Sequence, residues 1–113
     1  MLLIEKRALG GVCLNEGCIP SKTLLNSAKI YDHTKHGEAY GVMADNARID
    51  HAAVVTRKNA VVKKLVGGVQ AAMKSANVTV VYGVAYIEGI VSGSPHDTIR
   101  VRVDSAEDGG THG

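Results

Sequence analysis

Apolar positions recur along this chain with three different spacings, and each change of spacing marks a change of element. Residues 2–4 (Leu2, Leu3, Ile4) form a short apolar run closed by Glu5, Lys6 and Arg7, which predicts the end of a buried parallel strand. Leu14, Cys18, Leu25, Ala28 and Tyr31 then return at helical spacing and predict a helix from about Leu14 or Cys18 to His33, ended by His36 and Gly37. Residues 38–49 read as a loop, and Asp50 as the N-cap of a second helix that reaches about Ser75. Val54, Val61, Val62, Leu65, Val69, Ala72 and Met73 mark one side of that helix, with Arg57, Lys63, Lys64 and Lys74 outside. Gly67 and Gly68 within it cost about 1 kcal/mol each relative to Ala, so they mark either a close approach to the first helix or a weak point.

Beyond Asn77 the spacing becomes strand-like. Residues 78–81 predict a buried strand, and residues 84–91 another. Residues 98–103 alternate Ile99, Val101 and Val103 with Arg100 and Arg102, as a half-exposed strand does. Residues 92–97 supply the turn between the last two, and the polar, glycine-rich residues 105–113 read as a frayed tail.

At 113 residues the chain is long enough for one domain, and a hydrophobic fraction of 45% argues for globular structure. It has no Trp and no Phe, so its core has to be built from Val, Ala, Leu and Ile. The net charge is +2 with both signs interspersed, which leaves no footprint for nucleic acid; Lys63 and Lys64 read as a solvated helix face. The apolar opening stops at Glu5, too early for a signal peptide, and no apolar run approaches membrane-spanning length. The expectation is a cytoplasmic chain without a membrane partner. In such a reducing compartment a permanent structural disulfide is not expected, whereas one that cycles is.

The chemistry is concentrated in the stretch GGVCLNEGCIPSK, residues 10–22, which holds both cysteines. On a regular helix, residues five apart point about 140° away from each other with Cα atoms roughly 8 to 9 Å apart. A disulfide tolerates about 4.4 to 6.8 Å. Cys13 and Cys18 can therefore bridge only across an irregular backbone. Gly17 offers that freedom through positive φ, and Pro20 suits the first turn of a following helix. A Cys18 thiolate at that helix start, with Lys22 one turn on, would be stabilised. Two other readings stand beside a redox pair. Two cysteines alone cannot make a tetrahedral zinc site, and no close Cys or His completes one, so no metal is expected. Two buried, unpaired structural cysteines are the third possibility.

The run GGVCLNEGCIPSKTLL resembles the active-site segment of the pyridine nucleotide-disulfide oxidoreductases, flavoproteins that pass electrons between a nicotinamide, FAD and a cysteine pair. Within that family, Leu14 and the Ile19-Pro20-Ser21-Lys22 run are most similar to the dihydrolipoamide dehydrogenase branch. Leu24 to Ser27, His36-Gly37 and residues 65–69 also fit, so the resemblance extends along nearly the whole chain at falling specificity. The fold class it implies is α/β: residues 1–113 as an incomplete, Rossmann-like FAD-binding domain with two long antiparallel helices and a small antiparallel β-meander. The glycine fingerprint of dinucleotide binding, the NAD domain and the interface domain are not in these residues. The strand ending at Glu5 is expected to lack the parallel neighbour that would carry the fingerprint, leaving an open edge prone to pairing.

The resemblance also implies roles, residue by residue. Substrate thiolate attacks the Cys13 sulfur, Cys18 leaves as a thiolate beside the flavin, and the electrons pass to NAD+. Glu5 would hold the adenosine ribose, the backbone of Gly10, Gly11, Val12 and Cys13 would approach the FAD pyrophosphate and ribityl chain, Lys22 would lie near the reactive flavin ring, and Ala85 would face the adenine end. Val12 stands where Thr is usual, so a hydroxyl contact is lost there, and Glu16 replaces a frequent Val, adding a negative charge between the cysteines. The proton-handling histidine belongs to the absent interface domain. His33 and Glu38 share its spacing but read as surface residues, and His51, His96 and His112 have no evident partners. Partners implied are dihydrolipoamide, a 2-oxo acid dehydrogenase complex and a second copy in a homodimer. The chain alone is expected to be inactive, to bind FAD weakly or not at all, and to be marginally stable. The alternatives are a stand-alone small dithiol redox or binding module without flavin, and a purely structural interaction domain.

Overall fold

The structure is a computed structural model and describes residues 1–93 and 96–105. Residues 94 and 95 of the expected turn, and residues 106–113 of the expected tail with His112, lie outside the described residues. The elements in chain order are β1 (Leu2–Glu5), α1 (Gly11–Asn15), α2 (Cys18–Lys35), a 3₁₀ turn (Gly37–Tyr40), α3 (His51–Ser75), β2 (Thr79–Tyr82), β3 (Val84–Val91) and β4 (Thr98–Asp104). They form two compact units, Gly10–Val69 and Met1–Leu9 with Gln70–Gly113.

The strand-bearing unit contains two separate two-stranded sheets. β1 pairs in parallel with β2, Leu2 facing Thr79 and Glu5 facing Tyr82. The Thr79 N–H donates to Met1 O at 2.9 Å and the Gly83 N–H to Glu5 O at 2.9 Å, extending the ladder at both ends. One edge of β1 is thus satisfied by a strand more than seventy positions away in sequence. Among the described residues its other edge meets no strand. β2 follows α3 directly because Asn77, at φ 53, reverses the chain. The Asn77 N–H donates to Lys74 O at 3.1 Å and the Val78 N–H to Met73 O at 2.9 Å, the paired bonds that satisfy a helix C-terminus ended by a left-handed residue.

β3 and β4 form an antiparallel hairpin with an irregularity between Ile87 and Gly89. Arg102 stands opposite Tyr86 and fixes this register. Its guanidinium lies 4.7 Å from the Tyr86 ring centre, donates to Glu88 Oε1 at 3.0 Å, and pairs with Asp104. Asp104 and Glu88 raise the Arg102 pKa above its ordinary value, chiefly through the Asp104 hydrogen bond.

In the helical unit the expected first helix divides in two, α1 and α2, at residues 16 and 17. The loop expected over residues 38–49 opens with the 3₁₀ turn, closed by the Val42 N–H donating to Gly37 O at 3.1 Å. Asp50 caps α3 as expected, its Oδ1 accepting the Ala53 N–H at 3.0 Å. Val54, Val61, Val62 and Val69 of α3 are half-buried, but Leu65, expected on the same side, is 40% exposed. A β-carbon on Gly67 or Gly68 would meet nothing within 4 Å, so neither glycine serves a close helix approach here.

Burial is where expectation and structure part most. Among the described residues Leu9 is the one buried hydrophobic side chain. The strand expected to be buried over residues 78–81 is observed one position later, and of its side chains only Val80 is half-buried. Ile99, Val101 and Val103 are all exposed, so β4 has no covered face. Two-stranded sheets offer apolar faces, and these have little laid over them.

Candidate functional site

The site begins with two consecutive glycines in left-handed conformation, Gly10 at φ 104 and Gly11 at φ 68. They turn the chain sharply into α1. A β-carbon on Gly10 would lie 2.9 Å from Leu14 Cδ1, so the turn needs glycine both for its φ and for its packing against Leu14. Asn15 closes the short helix, its Nδ2 donating to Gly11 O at 2.9 Å, and the Glu16 N–H donates to Val12 O at 2.8 Å.

Gly17 then breaks the helical path, but not by the positive φ expected of it: its φ is −116 and its ψ −108. Its reason for being glycine is proximity. A β-carbon there would lie 3.3 Å from Cys13 Cα and 3.3 Å from Val12 O, so any side chain would press α1 away from the start of α2. Cys18 opens α2, and buried Pro20 sits in its first turn, where a missing N–H is harmless. The Ser21 N–H donates to Gly17 O at 3.0 Å and starts the helical ladder.

This break reduces the Cys13 to Cys18 Cα separation to 4.8 Å, about half the helical value, and the two sulfurs form a disulfide. The reading of two buried, unpaired structural cysteines does not survive. They are not separately buried, since both residues are exposed. Among the described residues no group of three His, Cys, Asp or Glu side chains is placed to hold a metal ion.

Lys22 follows Cys18 by one helical turn on the same face of α2, and is exposed. Gly10, Gly11, Val12, Cys13, Cys18 and Lys22 all belong to the helical unit. Glu5 and Ala85 belong to the strand-bearing unit. Glu5 ends β1 half-buried, and its Oε1 accepts the Arg7 N–H at 2.8 Å. Ala85 lies near the start of β3, opposite Val103, and is exposed. Asp32 pairs with His36 at 3.2 Å. Leu14 was expected as an apolar helix position, but its packing against Gly10 one turn earlier was not, and Asn15 was not singled out. No helix among the described residues is long and apolar enough to cross a membrane.

Comparison with known proteins gives the same direction. No protein-family model matches the chain. It is 50% identical over 84 residues to a dihydrolipoyl dehydrogenase of Geobacillus stearothermophilus, covering 74% of this chain and 18% of that protein. It is 46% identical over 87 residues to a dihydrolipoyl dehydrogenase of Mycoplasma genitalium, covering 76% of this chain and 19% of that protein. In fold it is similar to the crystal structure of LpdA from Mycobacterium tuberculosis, with a TM-score of 0.75 and 19% identity over 94% of this chain and 22% of that one. The chain thus shares its α/β fold with part of that solved structure, and it spans less than a fifth of the length of the curated relatives it matches.

Proposed function

We propose that this chain carries the redox-active disulfide of a flavin-dependent dihydrolipoyl dehydrogenase. The observation that carries the reading is the Cys13–Cys18 disulfide itself, held on a break between two helices with both residues exposed. A structural staple would be placed where it closes a long loop or pins a core. This one closes five positions, stabilises little, and lies open to a substrate.

The proposed chemistry is dithiol–disulfide exchange. One thiolate of a dihydrolipoyl group attacks Cys13 Sγ, and Cys18 leaves as a thiolate at the start of α2 beside Lys22. The second substrate thiol closes the substrate disulfide and frees Cys13. FAD, when bound, supplies the acceptor that takes the electron pair onward to NAD+.

The residues present fit parts of a flavin site. Glu5 ends a parallel strand and spends one carboxylate oxygen on the Arg7 N–H, leaving the other for ribose hydroxyls. Gly10 and Gly11 present no side chains over the first N–H groups of α1, and Lys22 offers an exposed cation. Ala85, exposed and small, suits the adenine end. A 2-oxo acid dehydrogenase complex, a homodimer and a cytoplasmic setting complete the reading by resemblance.

The test is to express the reading frame that contains these residues and follow NAD+ reduction by dihydrolipoamide. Cys13→Ser and Cys18→Ser should each abolish turnover while bound flavin is retained. Full activity in either variant would overturn the proposal.

A further inference from the structure

We propose that the apolar face of the hairpin formed by β3 and β4 is a self-association surface, onto which a second copy of this chain lays the same face. The contact depends neither on the disulfide nor on flavin.

Directly opposed residues of an antiparallel pair point to one side of the sheet. In this hairpin Ala85 opposes Val103, Ile87 opposes Val101 and Ile90 opposes Ile99. The first two pairs lie two residues apart on both strands, so they share a side. The third shares it only because of the irregularity between Ile87 and Gly89, which leaves Glu88 as an extra residue. Strict alternation would turn Ile90 away from Ile87 and bring Gly89 and Val91 to its side instead. With the extra residue, all six aliphatic side chains gather on one side. The charges gather on the other: Arg100 opposes Gly89, Arg102 opposes Tyr86, and Arg102 binds Glu88 and Asp104.

The gathered face is open. All six residues are exposed, Ile87 at 79%, Ile90 at 72% and Ile99 at 65%. With about 150 Å² for a fully open residue, the six offer roughly 500 Å² per chain. Two such faces laid together bury about 1,000 Å², the lower bound of a specific protein interface. A two-stranded sheet is marginal without a covering layer, and two stacked hairpins supply that layer to each other.

A second copy also suits the face in charge. The apolar side carries no ionisable group, so identical faces meet without repulsion about a two-fold axis. A charged partner segment would bury its charges there unpaired.

The test is sedimentation equilibrium of the full chain, which should show monomer and dimer exchanging in the micromolar range, as suits an interface at that lower bound. Ile87→Lys and Val101→Lys, which put a charge at the centre of the face, should each weaken dimerisation at least about tenfold. Ile87→Thr keeps a strand-favouring residue and should weaken it severalfold with unchanged circular dichroism. Arg100→Ala on the opposite side and Leu2→Lys on the open edge of β1 should leave it within about twofold. A mixture of isotope-labelled and unlabelled chain, which needs no substitution, should show intermolecular contacts among the methyl groups of Ile87, Ile90, Ile99 and Val101 by magnetic resonance. A monomer throughout the micromolar range, equal losses from the Leu2 and Ile87 substitutions, or intermolecular contacts confined to other elements would each overturn the proposal. So would a chain that stays monomeric and binds phosphatidylcholine vesicles through Ile87, since the occupant would then be a lipid surface.

Discussion

Unfolding the purified chain in urea should reveal how little of its surface is covered. A folded chain of 11.9 kDa typically exposes about 6,000 Å² and, unfolded, about 17,000 Å². This chain exposes 9195 Å² when folded, an excess of about 3,000 Å² over that norm. Folding therefore hides about half of the unfolded surface where about two thirds is usual. Among the described residues twenty large hydrophobic side chains contribute, including Leu2 at 59%, Leu25 at 66% and Ile87 at 79% exposure. If only a tenth of the excess is apolar, its missing cover forgoes about 7 kcal/mol, comparable with the whole net stability of a small domain. Because the denaturant slope scales with area exposed on unfolding, it should be about 0.7 of that of an ordinary domain of this length. The assay is urea titration followed by circular dichroism, with dye binding and sedimentation on the same sample. The expected result is a shallow, early transition, dye binding before it, and self-association. A full-size slope, no dye binding, a pure monomer and a thermal midpoint above about 60 °C would refute the reasoning.

Four substitutions test individual steps. Gly10→Ala should destabilise the helical unit by about 1 to 3 kcal/mol, since it forces a side chain into φ 104 and into Leu14; unchanged denaturation would remove the reason given for the turn. Gly67→Ala and Gly68→Ala should each stabilise by up to about 1 kcal/mol, because their β-carbons meet open space in mid-helix. A loss of stability in calorimetry would show a close neighbour that the chain does not display. Asp50→Ala removes the bond to the Ala53 N–H and should cost about 1 kcal/mol with a measurable fall in helix signal.

Features set by local chemistry were legible in the sequence. Asp50 as a cap, Ser75 as the helix end, and the change of spacing after Asn77 all depend on residues within one or two turns of each other. So was the cysteine pair, because only an irregular backbone can join residues five apart, and glycine and proline flank them. Features set by distant chain were not. The parallel partner of β1 comes from residues 79–82, which no local pattern announces. Gly17 was rightly marked as a break but for the wrong cause, because its contact with Cys13 Cα exists only once the two helices are folded onto each other. Burial of residues 78–81 was overestimated because apolar composition reports what a strand can bury, not whether anything covers it. Leu65 was misplaced for the same reason.

The central claim is that Cys13 and Cys18 form a working redox couple rather than a staple, and a redox titration addresses it most directly. The chain is equilibrated in graded mixtures of reduced and oxidised dithiol, alkylated, and scored for the bridged and open forms by mass spectrometry. An exposed disulfide that closes five positions and opens at a helix start should titrate reversibly, with a potential above about −300 mV, in the range of catalytic pairs. A pair that stays closed below that potential, as structural disulfides do, would contradict the account.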